Sequence, residues 1–83
     1  MNNQPTQQPI LIDVRTPAEY AEGHYQGAVN HELDLVMAGH YPDAPRSAHI
    51  QVYCRSGNRS GIAKQILDQA GFTQVENIGA FNL

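Results

Sequence analysis

Cysteine occurs once in these 83 residues, and tryptophan not at all. A single thiol leaves no internal disulfide and no cysteine-rich zinc site, and it does not fix the redox compartment. Aromatic residues make up only 7%, so aliphatic side chains are expected to fill the core. Basic residues are scarce too: five Lys and Arg against eight Asp and Glu give a formal net charge of −3. That balance argues against a nucleic acid or an anionic membrane as partner. No apolar run is long enough to cross a bilayer. The first nine residues are polar, with no signal-peptide core among them. The composition suits a cytoplasmic protein and equally the mature form of an exported one.

The chain is short enough for one small domain with a lean core. Residues 1–9 read as a disordered lead-in, and 10–83 as a single domain. Ile10 to Val14 is a nearly continuous apolar run, the mark of a buried strand. Thr16, Pro17 and Glu19 form a helix-start pattern, with Gly23 as the stop. A very short strand is expected at Ala28–Asn30 and a short helix from Glu32 to Ala38. Pro42, Asp43, Pro45 and Ser47 mark a loop. Ile50 to Tyr53 reads as a strand ending at Cys54. Ser60 to Ala70 reads as a helix with Ile62, Ala63, Ile66, Leu67 and Ala70 on one face. Gly71 is its stop signal, and Thr73 to Ile78 is a last strand. Strands alternating with helices imply an α/β domain, a short parallel sheet flanked by helices in three layers. Ligands of such sheets bind beyond the carboxyl ends of the strands, where Asp13, Arg15 and Cys54 fall.

The segment Cys54-Arg-Ser-Gly-Asn-Arg-Ser-Gly61 carries the chemistry. A thiol between a strand end and a helix start meets converging backbone N–H groups, and two arginines stand beside it. Each feature favours the thiolate, and the same groups suit a small anion. Cys54 is therefore the candidate nucleophile, at a partly exposed position. Arg55, Ser56, Gly57, Asn58, Arg59 and Ser60 are candidates for holding the substrate. Guanidinium suits an oxyanion, although one arginine can instead be tied to an acidic residue, and Ser60 can instead cap the helix. His31, His40 and His49 lack ligand-like spacing, so no metal is expected. No cofactor is called for.

Two stretches resemble single-domain rhodaneses, most closely the compact phage-shock type. One is Leu11-Ile-Asp-Val-Arg15 with Glu19-Tyr-Ala-Glu-Gly-His24 and Gly27-Ala-Val-Asn30. The other is Tyr53 to Gly61. The resemblance implies a rhodanese-like fold and a sulfurtransferase acting through a persulfide on Cys54. It implies a small anionic sulfur donor such as thiosulfate and an acceptor that is cyanide, a thiol or a protein. It makes Asp13 and Arg15 structural groups near the site, and Glu19, His24 and Asn30 scaffold. It also suggests a periplasmic location if the chain is a mature exported form, otherwise a cytoplasmic one. A monomer is expected. The chain lacks the strand and helix that many relatives place before Asp13. It stops at Gly79-Ala-Phe-Asn-Leu83, short of the usual closing helix, which points to a truncated C-terminus.

The rival readings are a persulfide carrier between proteins, a non-catalytic rhodanese-like binding module, and a phosphatase or arsenate reductase of related fold. Binding modules usually lack the cysteine or have a degraded loop. The phosphatase-type loop has one residue more than the four between Cys54 and Arg59, and the smaller ring disfavours phosphate.

Overall fold

A computed structural model describes residues 8–82. Most of the expected lead-in, residues 1–7, lies outside the described residues. Four strands form one parallel sheet: β1 (Ile10–Asp13), β2 (Val29–Asn30), β3 (His49–Cys54) and β4 (Gln74–Ala80), in the order β2-β1-β3-β4. Three helices flank it: α1 (Pro17–Glu22), α2 (Leu33–Met37) and α3 (Asn58–Gln69). Helix α2 packs on α3, and α3 packs on β3 and β4.

The sequence explains the centre of the sheet. β3 pairs on both sides, with β1 through Ile10↔Ile50 and Asp13↔Tyr53, and with β4 through Ile50↔Val75. Its Ile50, Val52, Tyr53 and Cys54 are all buried, as expected for a strand covered on both faces. Parallel register brings the carboxyl ends of β1 and β3 to one rim. Asp13 and Cys54 end these strands there.

Local chemistry sets the helix ends. Thr16 caps α1 in a full capping box: the Glu19 N–H donates to the Thr16 hydroxyl, and the Thr16 N–H donates to Glu19 Oε1. Helix α3 starts at Asn58, two residues before the position expected from sequence. Ser60 thus sits inside the first turn and is not the cap. The core-facing stripe keeps Ala63, Ile66, Leu67 and Ala70 of the expected face but not Ile62. Ser60, Ala63 and Leu67 are buried, whereas Ile62 is 46% exposed. Residues three and seven apart share the core-facing stripe, and Ile62 falls beside it.

The core is less purely aliphatic than the composition suggested. Tyr53 is among the largest fully buried side chains, packed with Tyr25 and Phe81, and Phe72 is buried in the aliphatic cluster. Burial pushes the Tyr53 hydroxyl up to about 12. Its oxygen accepts the Tyr25 N–H at 3.1 Å, so this buried polar atom is satisfied.

Ile50→Ala in the central strand leaves a cavity that its neighbours cannot fill. We expect a loss of about 2–4 kcal/mol in unfolding free energy, measured by urea denaturation, with an unchanged denaturant slope.

Candidate active site

Cys54 lies at the carboxyl end of β3, and the chain turns sharply after it. Gly57 makes the turn with φ of +96°, in the left-handed region that glycine adopts without steric penalty. The turn aims backbone donors at the sulfur. The Gly57 N–H donates to Sγ at 3.0 Å and the Ser60 N–H at 3.4 Å. The Ser60 hydroxyl is 3.5 Å from Sγ. Burial pushes the thiol up, but the Ser60 hydroxyl and the amides of Ser60, Ser56 and Gly57 outweigh it. The net result is a thiol below its ordinary value, the direction a nucleophile needs.

The sequence suggests a partly exposed thiol. The thiol is not partly exposed: Cys54 has 0% of its surface accessible. The polar loop does not leave the cysteine open to water. It folds over the sulfur, with the Gly57 and Ser60 amides donating to it.

The two arginines have different surroundings. Arg59, in the first turn of α3, makes a paired contact with Glu19 at 2.8 and 3.0 Å. Its guanidinium is thus engaged by a carboxylate of α1, the alternative the sequence left open for one arginine. The Arg59 guanidinium holds Glu19 down, from 4.5 to about 2. Arg55 is exposed and has no acidic partner among the described residues. It lines a cleft of about 420 Å³ together with Arg15, Glu19, Glu22, Gly23 and Phe81. Ser56 on the loop and Asn58 at the start of α3 are exposed.

Asp13 and Arg15 form a buried ion pair at 2.7 Å, with further bonds from Arg15 Nε and the Arg15 N–H. Arg15 also donates to the Gly23 carbonyl, and its guanidinium lies over the Phe81 ring at 4.4 Å. This pair joins β1, the end of α1 and the segment after β4. Asn30 donates to the carbonyls of Asp13 and Arg15. The His24 ring is 2.8 Å from the Tyr20 carbonyl and stacks on the Tyr20 ring.

Sequence reasoning missed Asn77. Its Oδ1 accepts the Ser60 hydroxyl at 2.7 Å and the Gly79 N–H at 2.9 Å, and its amide donates to the Gly57 carbonyl at 3.2 Å. It sits where β4 bulges, Val52 pairing with Asn77 but Tyr53 with Gly79. A polar residue in an exposed edge strand gives no signal of this in the sequence.

Residues 1–80 match the Rhodanese-like domain. The chain belongs to that family. Its rhodanese domain is 45% identical over 71 residues to the thiosulfate sulfurtransferase PspE of Escherichia coli, covering 82% of this chain and 66% of that protein. It is 36% identical over 73 residues to a sulfurtransferase of Allochromatium vinosum, covering 88% and 67%. The chain thus spans about two thirds of the length of these relatives. Among solved structures, a rhodanese with anions from E. coli superimposes with a TM-score of 0.75 at 42% identity, covering 88% of this chain and 87% of that one.

The Glu19–Arg59 pair has a testable consequence for acid stability. The carboxylate has a lower pKa folded than unfolded, so its contribution is full above about 4.5 and is lost as the pH falls toward about 2. Glu19→Gln should lower the melting temperature at neutral pH and flatten its decline across that acidic window. Melting curves recorded by circular dichroism check this, and a decline as steep as wild type would count against the pair.

Proposed function

We propose that this domain is a sulfurtransferase that carries a sulfane sulfur on Cys54. The observation that carries the reading is the sulfur ringed by N–H donors within a domain of this family. The relatives named thiosulfate sulfurtransferase support thiosulfate as the donor.

In the first half-reaction the Cys54 thiolate attacks the outer sulfur of thiosulfate. A new sulfur–sulfur bond forms, the bond to the sulfonate sulfur breaks, and sulfite leaves with the electron pair. In the second, cyanide or a thiolate attacks the outer sulfur of the persulfide. The disulfide-type bond breaks and the Cys54 thiolate returns. No redox cofactor is needed for this balance. Because Sγ is buried, the loop from Arg55 to Ser60 must admit one sulfur atom as the donor docks. The amides of Gly57 and Ser60 then face the inner sulfur of the persulfide.

The cleft beside the loop holds two arginines and two glutamates. Arg55 is the cation there without an acidic partner among the described residues, so we assign the sulfonate of the donor to it. Arg59 acts mainly through Glu19, holding the first turn of α3 against α1.

Two measurements test the reading. Brief exposure to thiosulfate should raise the intact mass by one sulfur, about 32 Da, reversibly with cyanide and not in Cys54→Ser. Absence of the gain in folded, reduced protein would move the reading to a binding module. Arg55→Ala should raise the thiosulfate KM by about tenfold, the loss of one charge-assisted contact, at unchanged melting temperature. An unchanged KM would remove Arg55 from the donor site.

A further inference from the structure

The Ser60 hydroxyl carries one proton and has three acceptors in reach. Asn77 Oδ1 is at 2.7 Å, the Gly57 carbonyl at 3.1 Å and Cys54 Sγ at 3.5 Å. A hydroxyl donates once and accepts through its lone pairs. The short contact to Asn77 therefore takes the proton whenever the sulfur carries no charge, and a neutral thiol can then donate its own S–H to Ser60 Oγ. A thiolate reverses the preference, because a bond to an ionised acceptor is roughly twice as strong as a neutral one. Asn77 Oδ1 keeps the Gly79 N–H when the hydroxyl leaves. Its amide still holds the Gly57 carbonyl, and Gly57 supplies a sulfur-facing N–H.

We propose that Asn77 is a positioning residue that switches the Ser60 hydroxyl between its own amide oxygen and Cys54 Sγ according to the charge on the sulfur. Ser60 is fully buried, so water does not substitute for either acceptor on its side. In a persulfide the inner sulfur is neutral and the charge sits on the outer sulfur. The hydroxyl then returns to Asn77. Asn77 thereby favours the two states with a neutral inner sulfur, thiol and persulfide, over the free thiolate. The switch deepens the sulfurtransferase reading, but the thiol titration it predicts does not depend on turnover.

The other charged groups around the sulfur are three arginines, two of them paired. Arg59 on α3 interacts with the sulfur's charge and is held by Glu19 of α1, Arg15 at the end of β1 is held by Asp13, and Arg55 on the loop is exposed. Asn77 itself is exposed on the edge strand, so its replacement removes no core packing.

The experiment is a thiol titration by the ultraviolet absorbance of the thiolate, on wild type, Asn77→Ala, Ser60→Ala and the double variant. Asn77→Ala should lower the thiol pKa by about half a unit to one unit, the worth of one neutral hydrogen bond. Ser60→Ala should raise it. In the Ser60→Ala background, Asn77→Ala should move it by less than about a third of its effect alone, because both residues act through one proton. A raised or unchanged pKa in Asn77→Ala overturns the proposal, as does a full-sized shift in the double variant. Asn77→Asp, nearly isosteric, covers the case in which Asn77→Ala does not fold. Its stronger acceptor should raise the pKa, and by more with Ser60 present than in combination with Ser60→Ala. Equal rises in the two backgrounds would assign the effect to charge alone and overturn the switch. Mass detection of persulfide in the same wild-type sample keeps the two questions apart. A missing sulfur gain with the predicted titration would retire the sulfurtransferase reading and leave the switch standing.

Discussion

The left-handed turn at Gly57 is the constraint on which the site depends. Without it the chain leaving β3 would carry its N–H groups past Cys54. With it, the amide of Gly57 and the first turn of α3 converge on one sulfur atom. A Cβ at this position would stand 3.6 Å from the Gly79 backbone, which is ordinary contact. The requirement is therefore one of backbone angle, not of space. The loop is held from two sides: Glu19 of α1 grips Arg59, and Asn77 of β4 grips Gly57 and Ser60. A small sheet with few layers can still position a thiol, because each gripping residue belongs to a hydrogen-bonded element.

These braces also tie folding to chemistry. Glu19 caps α1 and binds Arg59 with the same carboxylate. The capping box is local, while the ion pair spans forty residues of sequence. One group thus joins a short helix, which buries no residue of its own, to the loop over the sulfur. In the same cleft as Glu19, Arg15 joins β1 to Phe81, beyond the last strand. The segment after β4 gains its place from that contact and from the Tyr25 hydroxyl, which accepts the Asn82 N–H.

Much of this was legible in the sequence. The strand at Ile10–Asp13, the capping box at Thr16 and the strand ending at Cys54 follow from apolar runs and local helix-start chemistry. So did the position of the cysteine at the sheet rim, which follows from parallel alternation. The residues that were not legible depend on distant partners. Arg59 gives no sign in sequence that Glu19 will occupy it. Ser60 looks like a cap because it opens an apolar periodicity, but Gly57 lets the helix begin earlier, and the serine is turned inward. Tyr53 is buried because its hydroxyl finds the Tyr25 amide, a pairing set only by the fold. Asn77 gains its role from a one-residue bulge, and a bulge leaves no periodic signature where polar and apolar residues already mix.

The complete enclosure of Cys54 changes what its reactivity would report. A bulky alkylating reagent cannot touch a sulfur with no accessible surface. Its rate would count how often residues 55–60 part from α1 and β4, a local opening with its own free energy. Nucleophilic strength and loop opening become separate quantities in this molecule. Slow labelling would then describe a closed loop rather than a sluggish thiol, and oxidants too large to enter would spare the sulfur for the same reason.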